Sequence, residues 1–338
     1  MYTRTLAALA FSVCLVQGSA AADVELTLSH WVPGTHPLQV TGMEPWAKSI
    51  SEATEGRVEI TIYPASQLGA AGDHYDMARD GIVDISFINP GYQPGRFPIM
   101  AAAELPFLFA NAKGGVRALT EWYKQYAEQE MGDTYFCMAI SHDPGTIHSK
   151  TPILVPEDVR GKAVRPANAT EGRFVSLLGG TSVQVPAGEM REVLARGTAD
   201  MTQAPWESLY IFGAADVVKH HLDMPFYASI NVFTFNKAKL EGMEPADRQA
   251  VDDHCTPEWA ETMSSGWADA EAAGRDKIAA DSSHTLHKPD AAQVQLWKDA
   301  AAPLTEEWRT AVTAKGHDAD AIYDSLIEHL KKYDSYAG

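Results

Sequence analysis

Val159-Arg160-Gly161-Lys162-Ala163-Val164-Arg165-Pro166-Ala167-Asn168 reads as a turn, a short strand and an exit. Gly161 follows a polar run and supplies a backbone conformation that other residues resist. Ala163 and Val164 are the apolar strand residues. Pro166 has no N–H to offer a neighbouring strand, so the strand ends beside it. Arg165 is thereby set at a strand end, and ligands of α/β sheets bind at that edge. A guanidinium there is a planar fork suited to a carboxylate. The competing reading is a surface arginine in a structural ion pair.

Strands and helices alternate on both sides of this stretch. Upstream, residues 24–29 and 58–63 alternate apolar and polar as strands do. A helix is expected over 38–54, with Met43, Ala47 and Ile50 on one face. A second helix at 73–79 and a third strand at 83–88 follow, and Asn89-Pro90-Gly91-Tyr92 leaves that strand. This β-α-β-α-β order predicts a parallel sheet with helices on its faces. A helix at 111–130 and a strand at 135–140 come next, and residues 141–149 are expected to cross between domains. Downstream, strands are expected at 162–165, 182–185 and 199–202, with helices at 169–178 and 188–196 between them. Thr202-Gln203-Ala204-Pro205-Trp206 leaves the last of these strands. Residues 229–236 are strand-like and are expected to return to the first domain. From Glu244 onward the chain reads helical, with Trp259, Met263 and Trp267 recurring every four residues as a core stripe. The fold class is α/β. Two α/β lobes face a ligand cleft, with strands crossing at the hinge and long C-terminal helices, a shape suited to hinged closure. Residues 23–144 with 230–268 are expected to form lobe I, and 145–229 with 269–338 lobe II.

Composition narrows the chemistry. The 338 residues carry a formal charge of -18; the first 22 contribute only Arg4, so the remainder stands at -19. That balance argues against nucleic acid and against anionic membrane surfaces. Residues 1–22 resemble an export signal, with Arg4, an apolar run over 6–16 and a small-residue stretch cut after Ala20 or Ala22. No later stretch is long and apolar enough to span a bilayer. Cys137 and Cys255 remain beyond the signal, and both a disulfide and free thiols stay open. No Cys/His cluster has zinc spacing, and His220-His221 resembles a metal pair only superficially, since adjacent residues do not share a helix face. There is no Gly-x-Ser-x-Gly elbow and no nucleotide loop, which disfavours an exported enzyme.

Several segments carry a family resemblance in order and spacing. They are Tyr63-Pro64-Ala65-Ser66-Gln67-Leu68-Gly69, Arg79-Asp80-Gly81-Ile82-Val83-Asp84, Leu105-Pro106-Phe107-Leu108-Phe109, the run from Pro156 to Arg165, and Leu194-Ala195-Arg196-Gly197-Thr198-Ala199-Asp200. Together they resemble the extracytoplasmic solute-binding subunit of a TRAP transporter, the DctP-type family. The resemblance implies a type II periplasmic binding-protein fold and a small organic acid whose carboxylate pairs with Arg165. It also implies a periplasmic location and delivery to membrane permease subunits driven by an ion gradient. No cofactor or metal is expected, and the protein is expected to act as a monomer.

Departures from the family shape the expected ligand. Gln203-Ala204-Pro205-Trp206 stands where many members carry Glu-Asn-Pro, and Ile147 stands where the sialic-acid binders have a second arginine. The candidate ligand residues are Arg165, Asn168, Trp31, Asn89, Tyr92, Trp206 and Phe226, with Gln203 and His148 as outer candidates. For Asn89 and Asn168 a turn role competes, and for Trp31, Trp206 and Phe226 core packing competes. One fixed cation among aromatic rings points to an aromatic or otherwise apolar monocarboxylate. The alternatives are a sugar acid, a C4 or keto acid, and a ligand sensor for a signalling partner.

Overall fold

In a computed structural model, which describes residues 23–338, the strands are β1 (Val24–Ser29), β2 (Val58–Tyr63), β3 (Ile85–Ile88), β4 (Thr134–Ile140), β5 (Thr146–Ser149), β6 (Ala163–Arg165), β7 (Thr181–Ser182), β8 (Met201–Ala204), β9 (His220–Leu222), β10 (Asn231–Asn236) and β11 (Thr285–His287). The export signal expected at 1–22 lies outside the described residues. One sheet has the order β2-β1-β3-β10-β4 and the other β11-β9-β5-β8-β6-β7. β1 pairs in parallel with β2 and β3, as the alternating β-α-β order requires. β10 runs antiparallel between β3 and β4, so the strand expected over 229–236 does return the chain to the first sheet.

The first sheet is packed by rings and pinned covalently. Trp46 lies against Phe233 and Phe235, and Phe233 against Phe87. Cys137 of β4 is joined to Cys255 by a disulfide across 118 residues, which answers the open question of the two thiols. The helix Pro257–Ala280 packs on the helix Ala112–Tyr123 and buries Met263 and Trp267. Its approach to the first helix is close enough to need glycine: a Cβ on Gly42 would lie 2.7 Å from the Met263 carbonyl oxygen.

In the second sheet β6 pairs with β7 and β8, and Arg165 stands opposite Thr202. Gly161 takes φ +72°, the left-handed conformation read from its turn. Its N–H donates to the Gly179 carbonyl.

Some local expectations shift. The helix over 38–54 opens as a π-helical turn, Leu38–Met43, before the α-helix Glu44–Ala53. Pro45 has no N–H to bond the Thr41 carbonyl, which loosens the ladder there. The helix over 111–130 divides into Ala112–Tyr123 and Ala127–Met131. The strand expected at 182–185 is the short β7, and that at 199–202 is β8, shifted towards the loop. β9 and β11 have three residues each, too short to show alternation in the sequence. The final helix, Ala319–Lys332, packs on the helix Ala112–Tyr123 beside the first sheet. Trp122 fastens it by donating from Nε1 to the Ile322 carbonyl. Among the described residues no helix is long and apolar enough to cross a membrane.

Candidate ligand cavity between the two sheets

Arg165 ends β6 and its side chain enters a cavity that both lobes line. Only 3% of the residue is exposed. Its Nε donates to the Val185 carbonyl at 3.0 Å and its Nη1 to the Gln203 carbonyl at 3.0 Å. Nη2 lies 3.4 Å from Tyr92 Oη, which also accepts the Ala187 N–H at 3.2 Å. Among the described residues no carboxylate forms an ion pair with it. Neutral carbonyls and a hydroxyl therefore aim the guanidinium without cancelling its charge. One hydrogen on each terminal nitrogen is left over, the pattern that a carboxylate accepts side by side.

Two rings of the aromatic wall, Trp31 and Tyr92, follow strands of the first sheet. Trp31 follows β1 and stacks on Phe87 at 5.5 Å and Phe212 at 6.4 Å, with Tyr92 tilted against it at 5.6 Å. Asn89 lines the cavity and also accepts the Gly91 N–H on Oδ1, so the turn role and the wall role coincide. Gln203 lines it too, although its amide is engaged elsewhere: Oε1 accepts the Ala167 N–H and Nε2 donates to Glu171.

Four candidates sit outside this cavity. Asn168 caps the helix Ala169–Leu177 by accepting the Glu171 N–H, and borders a neighbouring opening with Gly91 and Pro166. Trp206 turns behind the sheet after Pro205 and packs on His148 at 5.0 Å and His221 at 5.9 Å. His148 donates from Nε2 to the carbonyl of Ala204, a wall residue, and its ring is buried behind that wall. Phe226 is core, held among Phe107, Phe174 and Trp297. Apolar burial outweighs cavity access for these rings.

The cavity also uses residues that the sequence did not single out as ligand contacts: His36, His142, Phe212, Tyr227, Asn231 and Trp267. Trp267 was legible as part of a helical stripe, but not as a cavity wall. His36 and His142 each lie edge-on to Trp267 with ring centroids 5.2 Å apart. Burial lowers His36 to about 3 and His142 to about 4, so both rings are neutral. Trp267 is held in place through Nε1, which donates to Glu271; that carboxyl also accepts from Ser208 Oγ of the second lobe. Burial pushes Glu271 up to about 7. The empty space among the lining residues is about 420 Å³, part of it open to solvent.

Comparison with known proteins fits this geometry. Residues 28–311 match the bacterial extracellular solute-binding protein family 7, DctP. A TRAP solute-binding protein of Rhodoferax ferrireducens T118, solved with copurified benzoate, is 26% identical with TM-score 0.87, covering 92% of this chain and 98% of its own. A marine metagenome TRAP solute-binding protein specific for aromatic acids, solved with 3-hydroxybenzoate, is 27% identical with TM-score 0.87 over 93% and 100% of the two chains. One from Bordetella bronchiseptica, solved with (R)- and (S)-mandelate, is 27% identical with TM-score 0.84 over 91% and 99%.

Proposed function

This chain belongs to bacterial extracellular solute-binding protein family 7, the TRAP solute-binding proteins, and we propose that its ligand is a small aromatic monocarboxylate gripped by Arg165. One observation carries the reading: among the described residues no carboxylate pairs with the buried Arg165 guanidinium, which faces a cavity walled by Trp31, Tyr92, Phe212 and Trp267. A lone buried cation is costly, and an anionic ligand removes that cost. Flat rings supply apolar contact without demanding the many polar groups of a sugar acid. Relatives that bind benzoate, 3-hydroxybenzoate and mandelate support the class. In this reading the protein is exported to the periplasm, closes its lobes over the acid and delivers it to a TRAP membrane permease. Asn89 and Gln203 shape the wall and the backbone around Arg165, and Tyr92 bridges the lobes.

The test is a thermal-shift panel of benzoate, mandelate, pyruvate, succinate and glucuronate on the purified chain. A ligand present at a hundred times its Kd stabilises the folded state by about 2.7 kcal/mol. The proposal expects the aryl acids to raise Tm well above the others. A shift with glucuronate or succinate alone would overturn the aromatic assignment and keep the carboxylate site. No shift with any acid would overturn both.

A further inference from the structure

Four polar atoms in residues that line the cavity have no hydrogen-bond partner among the described residues: Trp31 Nε1, His36 Nε2, Tyr227 Oη and Asn231 Oδ1. His36, Tyr227 and Asn231 are each only 1% exposed, so bulk water does not serve them. Polar groups buried this deeply ordinarily find partners. The chemical sense of the two most informative atoms follows from their neighbours. His36 Nδ1 accepts the Leu38 N–H at 3.1 Å and therefore carries no proton. The ring is neutral, so its proton sits on Nε2, which is a donor. Asn231 Nδ2 donates to the Ser229 carbonyl at 3.2 Å, which leaves Oδ1 as an acceptor.

His142 makes the contrast. Its Nδ1 donates to the Asp143 carbonyl at 2.7 Å and its Nε2 accepts the Ser229 N–H at 3.2 Å, so both nitrogens are satisfied. It offers a ligand only a flat surface. It also ties the wall together, since His36 and His142 flank Trp267, and His142 and Asn231 both bond Ser229. His36 and Asn231 thus belong to one wall, built from the first lobe and the hinge crossing, whereas Arg165 comes from the second sheet.

We infer that this wall is a hydroxyl-recognition subsite: the ligand is a hydroxylated aryl acid whose hydroxyl oxygen accepts from His36 Nε2–H and whose hydroxyl hydrogen is donated to Asn231 Oδ1. The inference rests on the reading of Arg165 as the carboxylate anchor. A hydroxyl both accepts and donates, so it can answer both atoms. A carbonyl leaves Asn231 Oδ1 unpaired, an ammonium leaves His36 Nε2 unpaired, and a methyl leaves both. Trp31 Nε1–H and the Tyr227 hydroxyl add further donors, which favours oxygen on the ligand. Sites built to bond a substrate hydroxyl reject analogues that lack it, because the site's own groups are then stranded.

The experiment is calorimetric titration of the whole protein with benzoate, 3-hydroxybenzoate, 4-hydroxybenzoate and 3-methoxybenzoate. At least one hydroxybenzoate is expected to bind about 10- to 100-fold tighter than benzoate, and the methoxy compound to lose that gain. In His36→Phe the ratio of hydroxybenzoate to benzoate affinity is expected to fall towards one. Equal affinity of wild type for benzoate and both hydroxybenzoates would overturn the subsite and leave the Arg165 reading standing. Absence of binding by every aryl acid would overturn both. The wild-type comparison needs no variant, so a folding defect in His36→Phe does not shield the inference.

Discussion

Arg165 on one side, and Glu104 with Glu171 on the other, are buried where the lobes meet, and none of the three has an ion-pair partner among the described residues. Their surroundings are also connected. Gln203 gives its backbone carbonyl to Arg165 and its side-chain amide to Glu171, while Thr170 of the second lobe donates to Glu104. The difference lies in what each group can do about burial. A carboxyl can take up a proton and become neutral. Burial, opposed by the Thr170 hydroxyl, pushes Glu104 up to about 8, and burial raises Glu171 well above the usual carboxylate range. A guanidinium has no such escape, because it does not lose its proton in proteins. The acids are therefore part of the packing, whereas the arginine keeps its charge. An unpaired buried charge is informative about function only when its owner cannot neutralise itself.

The largest expected effect breaks the arginine half of that comparison. Arg165→Ala is expected to weaken benzoate binding by about 2–5 kcal/mol, since one partner of a desolvated charge pair is lost. Arg165→Lys is expected to restore only part, because a point charge does not reproduce the fork. Without ligand, Arg165→Ala is expected to melt no lower than wild type, because a lone buried cation contributes no stability. Calorimetric titration and ligand-free melting curves measure both effects.

Histidine extends the rule that burial selects the neutral form where one exists. Burial lowers His36 to about 3, His142 to about 4 and His148 to about 3 from 6.5. These rings stay neutral in the folded chain, while the unfolded chain takes up protons below 6.5. Their contribution is thus full above 6.5 and is lost as pH falls towards 3. Each ring is worth on the order of 2 kcal/mol at about pH 5. A melting temperature that drops through this window is expected, and a flat profile would contradict it.

Glu104 has the opposite sign. Its folded value is raised from 4.5 to about 8, so its contribution is full below 4.5 and is lost as pH rises towards 8. Glu104→Gln removes the charge and is expected to flatten the decline in Tm on the alkaline side by a few degrees. The smallest effect concerns Trp206. Because it packs on His148 and His221 behind the cavity, Trp206→Ala is expected to lower Tm without changing the ratio of benzoate to pyruvate affinity. A selective loss of benzoate would place it in the site.

Much of this architecture was legible because short strands end at proline or asparagine and helices stop at glycine. The residues at strand ends that open into the cleft were legible for the same reason: Arg165 at the end of β6, Trp31 after β1, Asn89 and Tyr92 after β3. Gln203 lies within β8 and lines the cavity as well. Distance from a strand end does not separate wall from core, since Trp206 lies two residues past β8 just as Trp31 lies two past β1. Trp206 and Phe226 are rings that went to the core. His36, His142 and Tyr227 reach the cavity from loops and crossings, where no periodicity marks them. Trp267 shows the limit most clearly: an apolar stripe on a helix reads the same whether it meets a core or a ligand. The pairing of Cys137 with Cys255 depends on bringing β4 beside the start of the helix Pro257–Ala280, a tertiary fact.

The sharpest test of Arg165 as the carboxylate anchor is a crystal structure of the protein with benzoate. The expected result is a carboxylate with both oxygens on Arg165 Nη1 and Nη2, and the ring between the Trp31 and Trp267 walls. A benzoate bound elsewhere, or an Arg165 turned out to solvent with the acid held by other groups, would contradict it.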